Sequence, residues 1–117
     1  MPPRLPFDRQ DVGLDGVDYG EFDLTGRCEG LFPFKCSLFS VSSGSSTPID
    51  CHAVLECWLV LCGTGTLHYD GKTHALSAHS LFFIESHKKH FLENCSDTTI
   101  TVFSIWWVKP DTVKDNG

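Results

Sequence analysis

Three side chains capable of metal binding or proton transfer, Asp50, His52 and Glu56, stand just ahead of the most apolar run of the chain, in STPIDCHAVLECWLVLCGTGTLHYDG (residues 46–71). On an extended segment, side chains two apart share a face, so Asp50 and His52 point the same way. Glu56 has the same parity but follows a bend expected near Ala53 and Val54. Facing an interior, such groups need a hydrogen-bond partner or a metal. His90 offers a second imidazole from a later strand. Two imidazoles with one or two carboxylates make a ligand set for a divalent metal, including that of non-haem iron sites. The alternative is a polar cluster that binds nothing.

The elements that position these residues read as strands. FPFKCSLFSV (32–41) alternates loosely and is rich in aromatics. SSGSSTP is a loop by composition, and ECWLVLC (56–62) is a buried strand bounded by GTG. TLHY and KTHAL flank Asp70-Gly71, the pair preferred in a two-residue type I′ hairpin. SLFFIE, HFLEN and TITVFSIWWVK supply further strands between polar turns. Many short strands and no helical period predict an all-β sandwich or barrel spanning residues 32–109. Residues 1–31 read as an irregular N-terminal arm with one short strand, and residues 110–117 as a flexible tail.

Composition narrows the partners. The chain has 117 residues, enough for one compact domain, and a net charge of −6 with no basic face, which sets nucleic acid aside. No apolar run is long enough for a membrane span, and MPPRLPFDRQ lacks the apolar stretch of a signal peptide, so a cytoplasmic location is expected. The six cysteines include no C-x-x-C pair, and they read as buried, reduced packing residues.

Over about residues 36–108 the sequence resembles the cupin superfamily. The first family motif places a glycine, five residues, H-x-H, three or four residues, a glutamate, six residues and a glycine. Here Gly44, Asp50, His52, Glu56 and Gly63 keep every interval, and Asp50 stands in place of the first histidine. In the second motif His79, Glu85 and His87 replace glycine, proline and glycine, while His90 and Asn94 match in register. The resemblance implies an all-β double-stranded β-helix (a jelly-roll barrel) around one metal ion. It implies His52, Glu56 and His90 as ligands, with Asp50 in the fourth ligand position. An oxygen donor there makes the site harder and more anionic, which favours Fe(II), with Mn(II), Zn(II) or Ni(II) as alternatives. The loss of both glycines and the proline leaves the turn before His90 open.

Several roles stay open at this stage. Asp50 is a ligand, a general base on the substrate, or an acid that orients a ligand histidine. Tyr69 is an acid or base near the barrel, or a core residue. Lys88 and Lys89 form a solvated turn or a basic lip that attracts an anionic substrate. His68, His74, His79 and His87 read as surface or turn residues, and Asn94 as a turn residue. The resemblance implies a metal-dependent enzyme acting on a small, anionic organic substrate, with mononuclear iron dioxygenase chemistry ahead of a lyase, isomerase or cyclase. Residues 63–90 also resemble the ligand-sensing cupin domain of AraC-type regulators, so a non-catalytic binding module is the other class; no helix-turn-helix pattern follows. A homodimer is expected, with its seam at residues 32–39 and the N-terminal arm, because open barrels leave edge strands unpaired.

Overall fold

The computed structural model describes residues 4–24 and 33–110. Among the described residues, nine strands form two antiparallel sheets. They are β1 (Phe7–Gln10), β2 (Val17–Phe22), β3 (Lys35–Val41), β4 (Leu55–Cys62), β5 (Gly65–Tyr69), β6 (Lys72–Leu76), β7 (Leu81–Ile84), β8 (His90–Glu93) and β9 (Ile100–Trp107). One sheet has the order β1-β2-β3-β9-β4-β7 and the other β6-β5-β8. Among the described residues no helix is long and apolar enough to cross a membrane.

The period-2 pattern explains the core. On β4, Glu56, Trp58 and Val60 are buried while the residues between them are half-exposed. On β9, Ile100, Val102 and Ser104 do the same. These faces meet Leu67 of β5, Leu76 of β6 and Leu92 of β8 to make one core between the sheets. The predicted hairpin is present: Asp70 and Gly71 both have positive φ (50° and 79°), as a type I′ turn requires.

The N-terminal arm contains two strands where one was expected. β1 and β2 pair with each other, and β2 pairs with β3 from Val17↔Val41 to Glu21↔Ser37. The ring of Phe7 lies where a side chain at position 20 would be; a Cβ on Gly20 would come within 2.3 Å of it. That contact is between strands, so no local period announces it. The cysteine reading also changes. Cys36, Cys51, Cys57, Cys62 and Cys95 are free thiols, but only Cys36 is buried, and Cys51, Cys62 and Cys95 are exposed. Cys28 and the tail from residue 111 lie outside the described residues.

Residues 44–50 run alongside β8 without forming a strand of their own. Asn94 N–H donates to Ser45 O (2.9 Å), Thr47 N–H to Leu92 O (2.9 Å), and Asp50 and His90 exchange two bonds of 2.9 Å. Asn94 is fully buried and organises the next turn. Its Nδ2 donates to Val41 O and Thr98 O (2.8 Å each), and its Oδ1 accepts from Ser96 N–H (2.9 Å).

The turn before His90 forms despite the missing glycines. His79 and His87 occupy the two positions where the motif has glycine, and both take positive φ (72° and 61°). Gly44 and Gly63 do likewise at the ends of the first motif (79° and 89°). Backbone bonds hold the histidine turns: His79 N–H donates to Val60 O and His87 N–H to His52 O, each at 2.7 Å. A left-handed conformation costs a non-glycine residue roughly 1–2 kcal/mol. Glycine loses part of that gain through its freer unfolded chain. His79→Gly is therefore expected to raise stability by about 0.5 kcal/mol, read as a higher denaturant midpoint. Gly63→Ala is expected to lose more than about 2 kcal/mol, because its Cβ would lie 2.6 Å from Thr99 O.

Candidate metal centre

Each candidate ligand reaches the site from a different part of the fold. His90 opens β8, and its ring is 2% exposed. Glu56 lies on β4, in the other sheet. Asp50 is tied to His90 by their paired backbone bonds. His52 sits in the bend between Asp50 and β4, and its carbonyl is held by His87 N–H. The two imidazole rings meet edge to face, with centroids 4.9 Å apart.

Hydrogen bonds assign the tautomers. Nδ1 of His52 faces Val54 O (3.0 Å), and Nδ1 of His90 faces Lys88 O (2.8 Å). A carbonyl only accepts, so each Nδ1 carries its proton and donates. A neutral imidazole then presents a lone pair at Nε2. Both Nε2 atoms face Glu56 Oε1, at 3.1 Å from His52 and 3.8 Å from His90. Acceptors at that spacing need a cation between them, either a proton on a ring or a metal ion. Donor atoms of Asp50, His52 and His90 also lie within 4.8 Å of one another. The donor set therefore fits a divalent metal, with backbone carbonyls orienting both imidazoles as outer partners do in metal sites.

The site opens into a cavity of about 370 Å³. Its walls include Tyr19, Phe39, Trp58 and Trp106, with Pro48 and Val54 nearer Asp50 and His52 in sequence. Exposure rises from His90 through Glu56 and His52 to Asp50, which is exposed. Asp50 Oδ1 accepts from Cys51 N–H (2.9 Å). Pockets of this kind pair an apolar wall with a few converging polar groups.

Tyr19 lines the cavity and had no place in the sequence reading. It belongs to β2, and its hydroxyl donates to Glu21 Oε2 (3.0 Å). Burial first, then the Glu21 hydrogen bond, pushes its pKa up, so it stays a phenol. The available signal was VDYGEF, in which Val17, Tyr19 and Glu21 share a face. Tyr69 stands opposite His90 in the β5–β8 pairing but is not among the residues lining the cavity. Its hydroxyl faces Glu85, donating to Oε1 at 3.4 Å and accepting from the Glu85 N–H at 3.1 Å. Lys88 reaches Asp70 (3.4 Å), and neither Lys88 nor Lys89 lines the cavity. His68 pairs with Glu93 (3.0 Å) and stacks on Phe91, away from the site.

The comparisons agree with this architecture. The Cupin domain family profile matches residues 37–106, more than half of the chain. A Cupin 2 conserved barrel domain protein from Salinispora arenicola superposes with a TM-score of 0.73 at 25% identity, covering 92% of this chain and 88% of that one. A cupin-2 domain protein from Rhodospirillum rubrum gives a TM-score of 0.75 at 17% identity, covering 95% and 76%. A predicted oxalate decarboxylase from Thermotoga maritima gives 0.72 at 20%, covering 93% and 100%. With the family profile matched over most of the strands and the barrel shared with these structures, the chain belongs to the cupin superfamily.

Proposed function

We propose that the chain is a mononuclear metal enzyme acting on a small organic substrate, with Fe(II)-dependent oxygenation as its reaction class. The observation that carries this reading is the convergence of two tautomer-fixed imidazoles and the Glu56 carboxylate at one end of an apolar cavity. Two imidazoles with a carboxylate and open positions are the donor set of non-haem Fe(II) oxygenases. His52, Glu56 and His90 would hold the metal, and Asp50 would complete the set. When bound, Fe(II) supplies Lewis acidity toward a substrate oxygen and the redox capacity that O₂ chemistry needs.

The chain's own residues would do the rest. Val54 O and Lys88 O keep both rings from turning. Phe39, Trp58 and Trp106 offer an apolar wall that excludes water from the substrate's body. The Tyr19 phenol, protonated throughout the working range and donating to Glu21, adds a neutral polar group to the β2 wall of the cavity. Among the described residues no lysine or arginine lines the cavity, which favours an anionic substrate held through its oxygen donors at the metal. A carboxylate, hydroxyl or enolate carried on an apolar or aromatic body matches this arrangement.

Elemental analysis should find one transition metal per chain after Fe(II) loading without oxygen. Oxygen uptake with a panel of hydroxy acids, keto acids and enolisable carbonyl compounds should then require Fe(II). Turnover with Zn(II) or Mn(II) and no oxygen uptake would move the chain to a lyase or isomerase reaction. Failure to take up Fe(II) or Zn(II) would leave a non-catalytic binding module. His90→Ala should weaken Zn(II) affinity against a competing chelator by more than roughly a hundredfold, since losing even an outer partner of a ligand costs about 10–100-fold.

Asp50 separates three mechanisms. As a ligand, which its closeness to both imidazoles favours, Asp50→Ala should lower metal affinity and turnover together by about tenfold or more. Asp50→His should then retain the metal. Wild-type metal content with abolished turnover in Asp50→Asn would make it a general base instead. Unchanged metal content and turnover in both variants would remove Asp50 from the mechanism.

A further inference from the structure

A row of polar side chains crosses the inner face of the larger sheet. Glu21 of β2 stands opposite Ser37 of β3, Ser37 opposite Ser104 of β9, and Ser104 opposite Trp58 of β4. Both serines are buried, at 0% and 1% exposure. A buried hydroxyl is costly unless it is hydrogen-bonded. Here the hydroxyls bond to one another. Ser37 and Ser104 share a hydrogen bond of 2.5 Å, Ser37 reaches the Tyr19 hydroxyl, and Tyr19 donates to Glu21 Oε2 at 3.0 Å.

The end of the chain sets its direction. An ionised carboxylate only accepts, and each hydroxyl has one proton. The Tyr19 proton goes to Glu21, so the Tyr19 oxygen accepts from Ser37. The Ser37 proton is then committed, so Ser37 accepts from Ser104. The Ser104 proton is committed in turn, and an oxygen lone pair is left at that end. Ser104 lines the cavity, whereas Glu21 and Ser37 are not among the lining residues. Trp58, opposite Ser104, lines the cavity too. Among the described residues its indole N–H is the one buried side-chain donor without an acceptor. A buried polar atom left in that state calls for a water or a ligand. Directly opposed residues hold their Cβ atoms about 4.5–5.5 Å apart, close enough for one ligand oxygen to meet both.

We propose that Ser104 and Trp58 seat a hydroxyl group of the ligand, which donates to Ser104 Oγ and accepts from Trp58 Nε1. Tyr19, Ser37 and Glu21 are the positioning residues that keep Ser104 an acceptor. The ligand class is then an alcohol or enol on an apolar body. A carbonyl or ether oxygen only accepts, and it would leave the Ser104 lone pair unpaired. This seating rests on the proposed function only in placing the ligand in the cavity; it needs no metal.

The near-isosteric pair benzyl alcohol and benzaldehyde, titrated into metal-free protein, tests the seating separately from metal uptake. Binding is read from the indole N–H signals of Trp58 and Trp106, which both line the cavity. The alcohol should bind about tenfold more tightly than the aldehyde, as an unpaired buried acceptor demands, and the Trp58 signal should move downfield. Glu21→Gln keeps the size of the side chain and lies outside the cavity lining, but its amide can donate to Tyr19 and let the chain run the other way. The preference for the alcohol should then fall below about threefold, as it should in Ser104→Ala. A wild type without that preference, or an unchanged preference in Glu21→Gln, would overturn the proposal. Neutron diffraction of the free protein reads the chain without any ligand. The Ser104 deuteron should point to Ser37, and a deuteron turned into the cavity would equally sink the idea.

Discussion

Two backbone hydrogen bonds between Asp50 and His90 are the constraint on which the site depends. They fasten the loop that follows the first motif glycine to the strand that carries the buried imidazole. Once Asp50 is fixed there, His52 is two residues away, and its own carbonyl is caught by His87. Glu56 arrives from the opposite sheet through the regular alternation of β4. The candidate donor set is thus assembled by main-chain bonding, and the side chains need only adopt their fixed tautomers. A metal held there would bridge the two sheets, with His90 on one and Glu56 on the other.

Much of this was legible in the chain because the signals are local. Asp70-Gly71 between two alternating runs marks a hairpin with few rivals. The boundaries of β4, β7, β8 and β9 follow from apolar runs closed by polar turns. The spacing from Gly44 to Gly63 named Asp50, His52 and Glu56 as candidate donors, and the structure brings them together beside His90. The N-terminal strands were harder to see, because FDRQ is exposed at all four positions and shows no alternation. Their pairing rests on the Phe7 ring filling the space over Gly20, a contact between residues thirteen apart. Tyr19 was missed for the same reason: its period-2 pattern is visible, but the cavity it faces is made by distant strands.

The second motif illustrates what such patterns record. Its glycines mark backbone conformation, and the backbone here keeps that conformation with histidines in place. His79 and His87 are both exposed, so neither ring is forced into the core by the change. The hydrogen bonds from their N–H groups to Val60 and His52 do not depend on the side chain at all. A pattern written in residue names loses the chain at these points, while one written in φ angles keeps it.

The β2 wall of the cavity has a consequence for how this barrel can change. The candidate metal donors come from residues 50–90, whereas Val12, Val17 and Tyr19 come from the first two strands and their connection. None of the candidate donors pairs with that hairpin through its backbone. Selection, or an engineer, could therefore exchange the hairpin and reshape the cavity while the candidate donor set stays in place. Under the proposed function, substrate range and reactivity would rest on separate stretches of the chain, and each could drift at its own pace.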